Sequence, residues 1–497
     1  MIPKPLKPAN VPAPAASSNF FKKQTPIFAP GVAPELLQRE RSLQQQLDTL
    51  EKQRIEVLNR PNHTPAQEAE LEKQRQTLLA QYQDIQTQIR TTSPRYAALT
   101  QPQPLTLAQI QQQILDENTI LLQYSLGKER SYLWAVTKTS ITSYELPKAA
   151  DIETTAKKFR DAVTAPSSRN KPNQVAQAND AISQIILQPV AAQLGQKRLL
   201  IVGDGVLNYL PFAALSLPGK SGENGNPPLI VDHEIVLLPS ASTLGILREN
   251  YSDRQPPNRT LAILADPVFS ANDERIKNSS SATTQQAVES ANPGLSRSRG
   301  DNNAQFDRLK FTRQEAEVLQ ALLPANSITQ SLDFAASRAT ATGSNLSQYK
   351  IIHFATHGFA NSEHPELSGI VMSLVDEKGN PLNGFLRLTD IFNLKLAADL
   401  VVLSACQTGM GQNIQGEGLV GLTRGFMYAG AQRVVVSLWS VDDERTATLM
   451  SSFYQGMLQK GLTPAAALRA AQLEMWKQEK WKSPYYWAAF TLQGEWR

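Results

Sequence analysis

Apolar residues recur at helical spacing in the first hundred residues of the chain. Leucine and isoleucine positions among Gln, Glu and Arg predict two helices, over residues 33–60 and 64–91. Thr64 and Pro65 provide an N-cap and a proline at the first position of the second helix. The similar lengths and the short connection predict an antiparallel helical hairpin, coiled-coil-like in pattern, within residues 33–97. This hairpin either packs on the protein's own core or binds a regulatory protein partner.

From residue 101 onward, short apolar runs alternate with amphipathic helical segments. Runs of this kind predict strands buried on both faces, and their alternation with helices predicts a mainly parallel sheet. The expected fold is therefore α/β, an α/β/α sandwich, with an N-terminal half over 101–260 and a C-terminal half over 261–497. The predicted strands include KRLLIVGDG (197–205), IIHFATHG (351–358), LVVLSACQTG (400–409), RVVVSLWS (433–440) and YYWAAF (485–490).

Two segments have compositions that argue against a packed core. Residues 1–32 are rich in Pro, Ala, Ser and Lys, and too little apolar surface is available there to offset the entropy of ordering. We expect them to form a disordered tail. Residues 270–306 contain the polar strings NSSSATTQQ and SRSRGDNNAQ, which predict a polar surface insert within the C-terminal half.

Composition and charge narrow the class of protein. A chain of 497 residues exceeds what one hydrophobic core usually supports, so two or three domains are expected. The net charge of +4 is a small excess and does not indicate nucleic-acid binding, which needs clustered basic residues. The first residues lack the apolar core of a signal peptide, and no apolar run is long enough to predict a membrane span. The single cysteine excludes an intramolecular disulfide, and the sequence predicts a cytoplasmic protein.

The single cysteine and one histidine come at the ends of predicted buried strands. His357 ends the run IIHFATHG, and Cys406 lies in LVVLSACQTG. In an open α/β sheet, ligands and reacting groups gather at the carboxyl ends of the strands. A thiol and an imidazole that meet there can act as a nucleophile and its base. The alternatives are a buried structural thiol and an ordinary loop histidine.

Longer strings around these residues resemble the CHAT domain, a caspase- and separase-like cysteine peptidase family. The resemblance extends from about residue 100 to the end of the chain. His357 lies 49 residues before Cys406, by subtraction of the residue numbers, which is similar to the caspase spacing of about 50. The strings that carry the resemblance are HFATHG, LSACQTG, SLWSVDD (437–443), LLIVGDGVLNYLPFAAL (199–215), LLPSAS (237–242) and LADPVF (264–269).

The resemblance implies a role for each residue of the site. Cys406 would attack the scissile carbonyl of a protein substrate, and His357 would carry the proton to the leaving amine. The backbone N–H groups of Gly358 and Cys406 would bind the oxyanion. Such an enzyme needs no metal and no organic cofactor. The N-terminal half has one histidine, His233, and no cysteine, so it is expected to be catalytically blank, like the pseudo-protease half of separase.

Two acidic residues after the strand RVVVSLWS have two interpretations. In separase, a similar Leu-Trp-x-Val segment carries an acidic residue that binds a basic P1 side chain. By this resemblance Asp443, with Asp442 nearby, would select Arg or Lys at P1 through a charge-assisted pair. The alternative is that the two acids cap the helix predicted from residue 444, where negative charge is favoured.

Two further motifs suggest other chemistry. His353 and His357 are four residues apart, as in a metal site, but HFATH lacks the glutamate of H-E-x-x-H and lies in a predicted strand. GEGLVG (416–421) matches G-x-G-x-x-G, and Asp442 follows at about the distance of a ribose-binding acid. The dinucleotide motif follows its strand directly, whereas this one does not. A loop beside the nucleophile explains the same glycines.

The sequence therefore predicts an intracellular cysteine endopeptidase with a Cys406–His357 dyad that cleaves protein substrates after a basic P1 residue. By resemblance, such a protein acts in regulated proteolysis with defence or cell-death outcomes. Two other classes stay open: a catalytically silent signalling scaffold of the same fold, and a nucleotide-binding protein that uses GEGLVG. No nucleic-acid or membrane partner is expected.

Overall fold

The structure of the chain is a computed structural model. It describes residues 65–92, 104–165, 171–219, 226–251, 254–276, 306–359, 368–404, 406–407, 418–439 and 442–497, with a few positions between 35 and 46. The chain divides into two compact units, one of residues 15–104 and one that contains residues 105–497.

In the smaller unit, a 28-residue helix, α1 (Pro65–Thr92), occupies the second predicted helix. Tyr82 and Ile85 are its buried large side chains among the positions described. The described positions of the first predicted helix, Leu36 and Leu43 among them, are also helical. The remainder of that helix, the hairpin connection and the predicted tail over 1–32 lie outside the described residues. The hairpin therefore stays a prediction.

The larger unit is built on two sheets. The described strands are β1 (Thr119–Ser125), β2 (Ser131–Val136), β3 (Ile141–Leu146), β4 (Arg198–Val202), β5 (Ile235–Leu237), β6 (Arg259–Ala265), β7 (Ile328–Leu332), β8 (Tyr349–Ala355), β9 (His357–Phe359), β10 (Gly369–Val371), β11 (Phe385–Arg387), β12 (Leu400–Leu403), β13 (Cys406–Gln407), β14 (Arg433–Ser437) and β15 (Phe490–Gly494).

Eleven of these strands form one large sheet in the order β3-β2-β1-β4-β5-β15-β14-β12-β8-β6-β7. Seven of its ten neighbouring pairs are parallel, and three are antiparallel. Every residue of β12 and of β14 is buried. Because successive residues of a strand point to opposite faces, both faces of the sheet are covered there. The predicted α/β fold with a mainly parallel sheet is confirmed.

The large sheet has a seam where its strand direction reverses. β15 pairs in parallel with β5, and it pairs with β14 in antiparallel register from Arg433↔Gly494 to Ser437↔Phe490. The strands β1, β4 and β5 therefore run opposite to β12, β8 and β6. As a consequence, the carboxyl ends of β8 and β12 lie at the other edge of the sheet from those of the N-terminal strands.

Helices connect and cover the strands. One of them, α5 (Lys310–Ala321), buries Thr312, Glu315, Ala316 and Leu319, which follow the helical spacing of a core-facing stripe. Glu315 places a carboxylate in that stripe. After α1, the helices of eight or more residues are α2 (Ala149–Thr164), α3 (Pro172–Ile186), α4 (Ala241–Tyr251), α5 (Lys310–Ala321), α6 (Gly418–Ala429), α7 (Asp443–Leu458) and α8 (Pro464–Trp476).

A small sheet lies at the carboxyl ends of β8 and β12, with the strand order β11-β10-β9-β13. β9 follows β8 after the single residue Thr356, and β13 follows β12 after Ser404 and Ala405. β10 pairs with β9 and β11 in antiparallel register, whereas β13 pairs with β9 in parallel. The small sheet therefore extends the chains of two central parallel strands.

One predicted strand is wrong. The aromatic run 485–490 was expected to form the closing strand because aromatic residues favour strands. Instead, Pro484–Trp487 is a helical turn that begins with a proline at its first position. The strand that closes the sheet is β15, which starts at Phe490.

Candidate active site

Cys406 and His357 lie at the same edge of the large sheet. β8 and β12 are parallel neighbours, with Leu403 opposite Phe354. The chains that leave these strands stay adjacent, and in the small sheet Cys406 pairs in register with His357 and Gln407 with Gly358. Neighbouring strands lie about 4.8 Å apart. The fold thus brings the two sequence-predicted residues together.

The imidazole of His357 is enclosed, with only 5% of the residue exposed. Its Nε2 lies 2.7 Å from the backbone carbonyl oxygen of Asp307. Since a carbonyl oxygen only accepts, Nε2–H is the donor, and the neutral ring then carries no proton on Nδ1. Within the part of the chain that the structure describes, Nδ1 has no hydrogen-bond partner. This is the nitrogen that can take a proton from a thiol.

Two phenylalanines hold the His357 ring. The ring centroid of Phe269 lies 5.1 Å from that of the imidazole, and the centroid of Phe306 lies 5.3 Å from it. Phe269 follows β6, and Phe306 precedes Asp307, so the contacts come from two segments distant in sequence. Both rings belong to or pack against an apolar cluster with Val371 and Phe385.

The surroundings of His357 favour its neutral form. Burial lowers the pKa of His357 below its ordinary value of 6.5, while the Asp307 carbonyl and the Asp307 charge oppose this shift. A neutral imidazole is the form that acts as a general base at neutral pH. The electrostatics therefore suit the role predicted from the sequence.

Gly358, the predicted oxyanion donor beside the base, lies within the small sheet. It is opposite Gln407 on one side and opposite Ile370 on the other. The backbone of Cys406 begins the neighbouring strand β13. The two groups proposed to bind an oxyanion are thus on adjacent strands of one ladder.

The carboxylates of Asp442 and Asp443 each accept a hydrogen bond from a backbone N–H group near the start of a helix. Asp442 is the N-cap of α7, and its side chain accepts a hydrogen bond from the backbone N–H of Arg445 at 3.1 Å. Asp443 is the first residue of α7, but its carboxylate accepts from the backbone N–H of Phe311, near the start of α5, at 2.9 Å. The capping interpretation therefore describes Asp442, whereas Asp443 links α7 to α5.

The environment of Asp443 disfavours the ionised form of its carboxyl group. Burial raises the pKa of Asp443 from 3.8 to about 6, and the nearby charges of Glu315, Asp442 and Asp266 act in the same direction. The hydrogen bond from Phe311 opposes the shift. No ion pair joins Asp443 to a cationic side chain among residues 306–359 or the other described ranges.

His353, the other histidine of the HFATHG string, is buried in the middle of β8. Its Nε2 lies 3.0 Å from the Glu315 Oε1 atom, and its Nδ1 lies 2.9 Å from the Tyr454 hydroxyl. The Ser404 hydroxyl donates to the other oxygen of Glu315 at 3.2 Å. His353 thus belongs to a buried polar cluster that ties α5 to β8 and to the end of β12, the strands that lead to His357 and Cys406. No group of residues suited to hold a metal occurs among the described side chains.

Sequence reasoning missed the residues that hold His357 in place. Asp307 acts through its backbone carbonyl, which has no signature in the sequence. Phe306 was assigned to the polar insert 270–306, yet it packs on the imidazole.

The remaining motifs fall partly outside the described residues. Gly416 and Glu417 of GEGLVG are outside, and Gly418 begins α6.

In the part of the chain described, no helix is both long enough and apolar enough to cross a membrane.

The sequence profile of the CHAT domain matches residues 177–495, more than half of the chain. The chain therefore belongs to the CHAT domain family, and the resemblance inferred from its motifs is confirmed. Tetratricopeptide repeat protein 28 of Mus musculus is 26% identical over 338 residues, which cover 60% of this chain and 12% of that protein. The Homo sapiens protein of the same name is 25% identical over 332 residues, with the same two coverages. The chain thus spans 12% of the length of these curated relatives.

Two of the solved structures to which this chain is similar share 11% sequence identity with it. A crystal structure of the Saccharomyces cerevisiae separase–securin complex has a TM-score of 0.47 and 11% identity, covering 82% of this chain and 31% of that one. The Arg-specific cysteine proteinase gingipain R has a TM-score of 0.37 and 11% identity, covering 70% and 74% of the two chains.

Proposed function

We propose that this protein is a cysteine endopeptidase in which Cys406 is the nucleophile and His357 is its base. The observation that carries the proposal is the register of the short parallel ladder, which sets the backbone of Cys406 directly opposite that of His357. Membership of the CHAT domain family supports the same class of activity. The hydrogen bond to Asp307, which leaves Nδ1 of His357 unprotonated, supports the assignment of the base.

The proposed reaction proceeds through a thioester. His357 Nδ1 takes the thiol proton, and the Cys406 sulfur forms a bond to the scissile carbonyl carbon. The backbone N–H groups of Gly358 and Cys406 bind the resulting oxyanion. The carbon–nitrogen bond then breaks as the imidazolium gives its proton to the leaving amine. Water, deprotonated by His357, hydrolyses the thioester and restores the thiol.

We further propose that Asp443 selects a basic P1 side chain, with Asp442 contributing to the local negative potential. The support is its raised pKa of about 6 and its lack of a cationic partner in the described structure. An Arg or Lys side chain would supply the missing positive charge and form a charge-assisted hydrogen bond. The pKa of Asp443 would then fall when substrate binds.

The test is cleavage of a peptide library that varies at P1, by the wild-type chain and by Cys406→Ala. The proposal expects cleavage after Arg and Lys that disappears in Cys406→Ala. Cysteine-dependent cleavage after another residue would support the dyad and overturn the role of Asp443. Absence of cleavage, combined with no labelling of Cys406 by a thiol-directed electrophile, would overturn the peptidase and leave the silent scaffold.

We also propose that the protein acts in regulated intracellular proteolysis. In this proposal, a regulatory partner binds residues 33–97. The support is that residues 15–104 form a compact unit separate from the one that carries Cys406 and His357. Affinity capture with residues 1–104, compared with the full chain, tests it. A partner that binds the full chain but not this segment would contradict the assignment.

A further inference from the structure

A buried carboxylate, that of Asp266, lies close to His357, the proposed base, but is not part of the proposed dyad. Asp266 comes directly after the last residue of β6, and its side chain is 0% exposed. Its φ of 50° is in the left-handed region, which non-glycine residues seldom adopt. Such a conformation persists only where the surrounding contacts hold it.

Three arginines surround the Asp266 carboxylate. Arg308 binds it with two parallel hydrogen bonds, Nε to Oδ1 at 2.9 Å and Nη2 to Oδ2 at 2.7 Å. Arg313 donates from Nε to Oδ2 at 2.8 Å, and Arg275 Nη1 lies 3.1 Å from Oδ1. A forked pair of this kind fixes the guanidinium in orientation as well as in distance. The side chain of Arg308 is therefore held in one place.

Other acidic residues complete this cluster. Asp333 binds Arg275 at 2.7 Å and also binds Arg313. Asp273 binds Arg275 at 2.8 Å, and Glu274 binds Arg308 at 2.6 Å. Among the described contacts, Asp333 does not touch Arg308. The cluster thus has one carboxylate, that of Asp266, which reaches all three arginines.

Arg308 follows the residue that orients His357. The carbonyl of Asp307 accepts the hydrogen bond from His357 Nε2, and Phe306 packs on the imidazole ring. A side chain fixed at residue 308 limits the movement of the backbone at residue 307. Asp266 therefore restrains this hydrogen bond through Arg308.

The segment that follows Asp266 also contacts the imidazole. Phe269, three residues after Asp266, packs against the same ring. Arg275 Nη1 donates to the backbone carbonyl of Asp266 at 2.8 Å. Phe269 and Phe306 also contact each other, with ring centroids 5.9 Å apart. The segment that carries Asp266 and the segment that carries Arg308 thus both contribute a ring that packs on the imidazole.

We propose that Asp266 is a positioning residue for His357, which it holds in the orientation and tautomer that leave Nδ1 unprotonated, by fixing Arg308 and hence the Asp307 carbonyl. The structural part of this proposal is independent of catalysis. Its consequence for rate rests on the proposed peptidase function. Asp266 does not touch the reacting atoms, so it acts through Arg308 and Asp307.

The experiment compares Asp266→Asn with Asp333→Asn in the full chain. Each variant removes one carboxylate charge from the same arginine cluster, but only the first breaks the fork on Arg308. The first readout is the tautomer of His357, measured by nitrogen NMR of chain labelled at histidine, with His357→Ala to assign its signals. The chain has five histidines, so the spectrum is simple enough to assign.

The wild type and Asp333→Asn are expected to show His357 with its proton on Nε2. Asp266→Asn is expected to lose this preference, with a mixture of the two tautomers. An unchanged His357 signal in folded Asp266→Asn would overturn the proposal, as would an equal change in Asp333→Asn. If Asp266→Asn does not fold, Arg308→Lys replaces it, because lysine keeps the charge and cannot form the fork.

The second readout is kcat/KM as a function of pH on a peptide cleaved by the wild type. Asp266→Asn is expected to reduce kcat by roughly ten- to a hundred-fold with little change in KM, within the range of a misplaced general base. Asp333→Asn is expected to stay within a few-fold of the wild type. The tautomer is measured without any peptide, so NMR decides the positioning role even where absence of cleavage and of Cys406 labelling overturns the peptidase.

Discussion

Cys406 and His357 are opposite each other in the two-residue parallel ladder between β13 and β9. Their separation is set by strand pairing that continues from β12 and β8, rather than by the conformation of a free loop. Strand pairing places residues more reproducibly than loops do. The proposed nucleophile and base, placed in this way, would need little reorganisation before reaction.

Replacing either member of the pair should remove peptidase activity. We expect Cys406→Ala to show no cleavage above background, and His357→Ala to lower kcat/KM on the order of 10²–10⁴-fold, as for loss of a general base. The measurement is hydrolysis of a fluorogenic peptide. His233→Gln is the control, because that histidine lies in the other half of the sheet and binds the Lys197 carbonyl. Equal losses in His233→Gln and His357→Ala would contradict the assignment.

The loss of activity at low pH should reflect the lowered pKa of His357. A base must be unprotonated, so activity rises with pH through that pKa. Because burial lowers the pKa below 6.5, we expect the midpoint of this rise to lie below pH 6.5 on a peptide with a neutral P1 residue. The pH dependence of kcat/KM measures it. A midpoint above pH 6.5 would show that His357 is not the neutral, enclosed base described.

Peptides with a basic P1 residue should show a second acid dependence from Asp443. Its carboxyl group has a pKa of about 6 without substrate, so protonation below this pH weakens the pairing with Arg at P1. We expect KM for an Arg peptide to rise as pH falls below about 6, with no such rise for a Gln peptide. Asp443→Asn should remove the difference between the two peptides. Asp442→Asn, which can still cap α7, should keep it.

The carboxyl group of Asp443 should lower the free energy of unfolding at neutral pH. Its pKa is raised from 3.8 unfolded to about 6 folded, so the folded state binds more protons across this window. The free energy of unfolding therefore falls as pH rises from about 4 to 6. We expect Asp443→Asn to stabilise the protein at pH 7 by about 1–2 kcal/mol, after allowance for solvent screening. Urea unfolding at pH 4 and pH 7 measures it, and a destabilised variant at pH 7 would contradict the charge argument.

Substitutions in β15, at the seam between the two parts of the sheet, should strongly lower the free energy of unfolding. Leu492 in β15 is 1% exposed, and β15 joins β5 to β14. We expect Leu492→Ala to lower the free energy of unfolding by about 2–5 kcal/mol, as for other buried leucines. Leu462→Ala is the control, since that side chain is among the exposed large apolar ones. Similar losses for both variants in urea unfolding would show that β15 is not a critical contact.

The sequence was sufficient to predict the parallel strands and the meeting of Cys406 with His357. Apolar runs alternating with amphipathic helices carry that information locally. The contact of Asp307 with His357 was not predictable, because it uses a backbone carbonyl and depends on the path of a segment 50 residues upstream. The dual position of Asp443 was missed for a similar reason. Its own helix was visible in the sequence, but its partner on α5 is distant in the chain.

The position of β15 has a consequence for how the protein is made. β15 is the last described strand along the chain, yet it lies inside the sheet, between β5 and β14. A ribosome adds about 5–20 residues per second from the N-terminus, so β5 and β14 exist before residues 490–494 do. During that interval each presents an unpaired edge, to which strands of neighbouring nascent chains can add. The risk of such pairing therefore falls between the synthesis of β14 and that of β15, when a chaperone that shields strand edges would have its largest effect on yield.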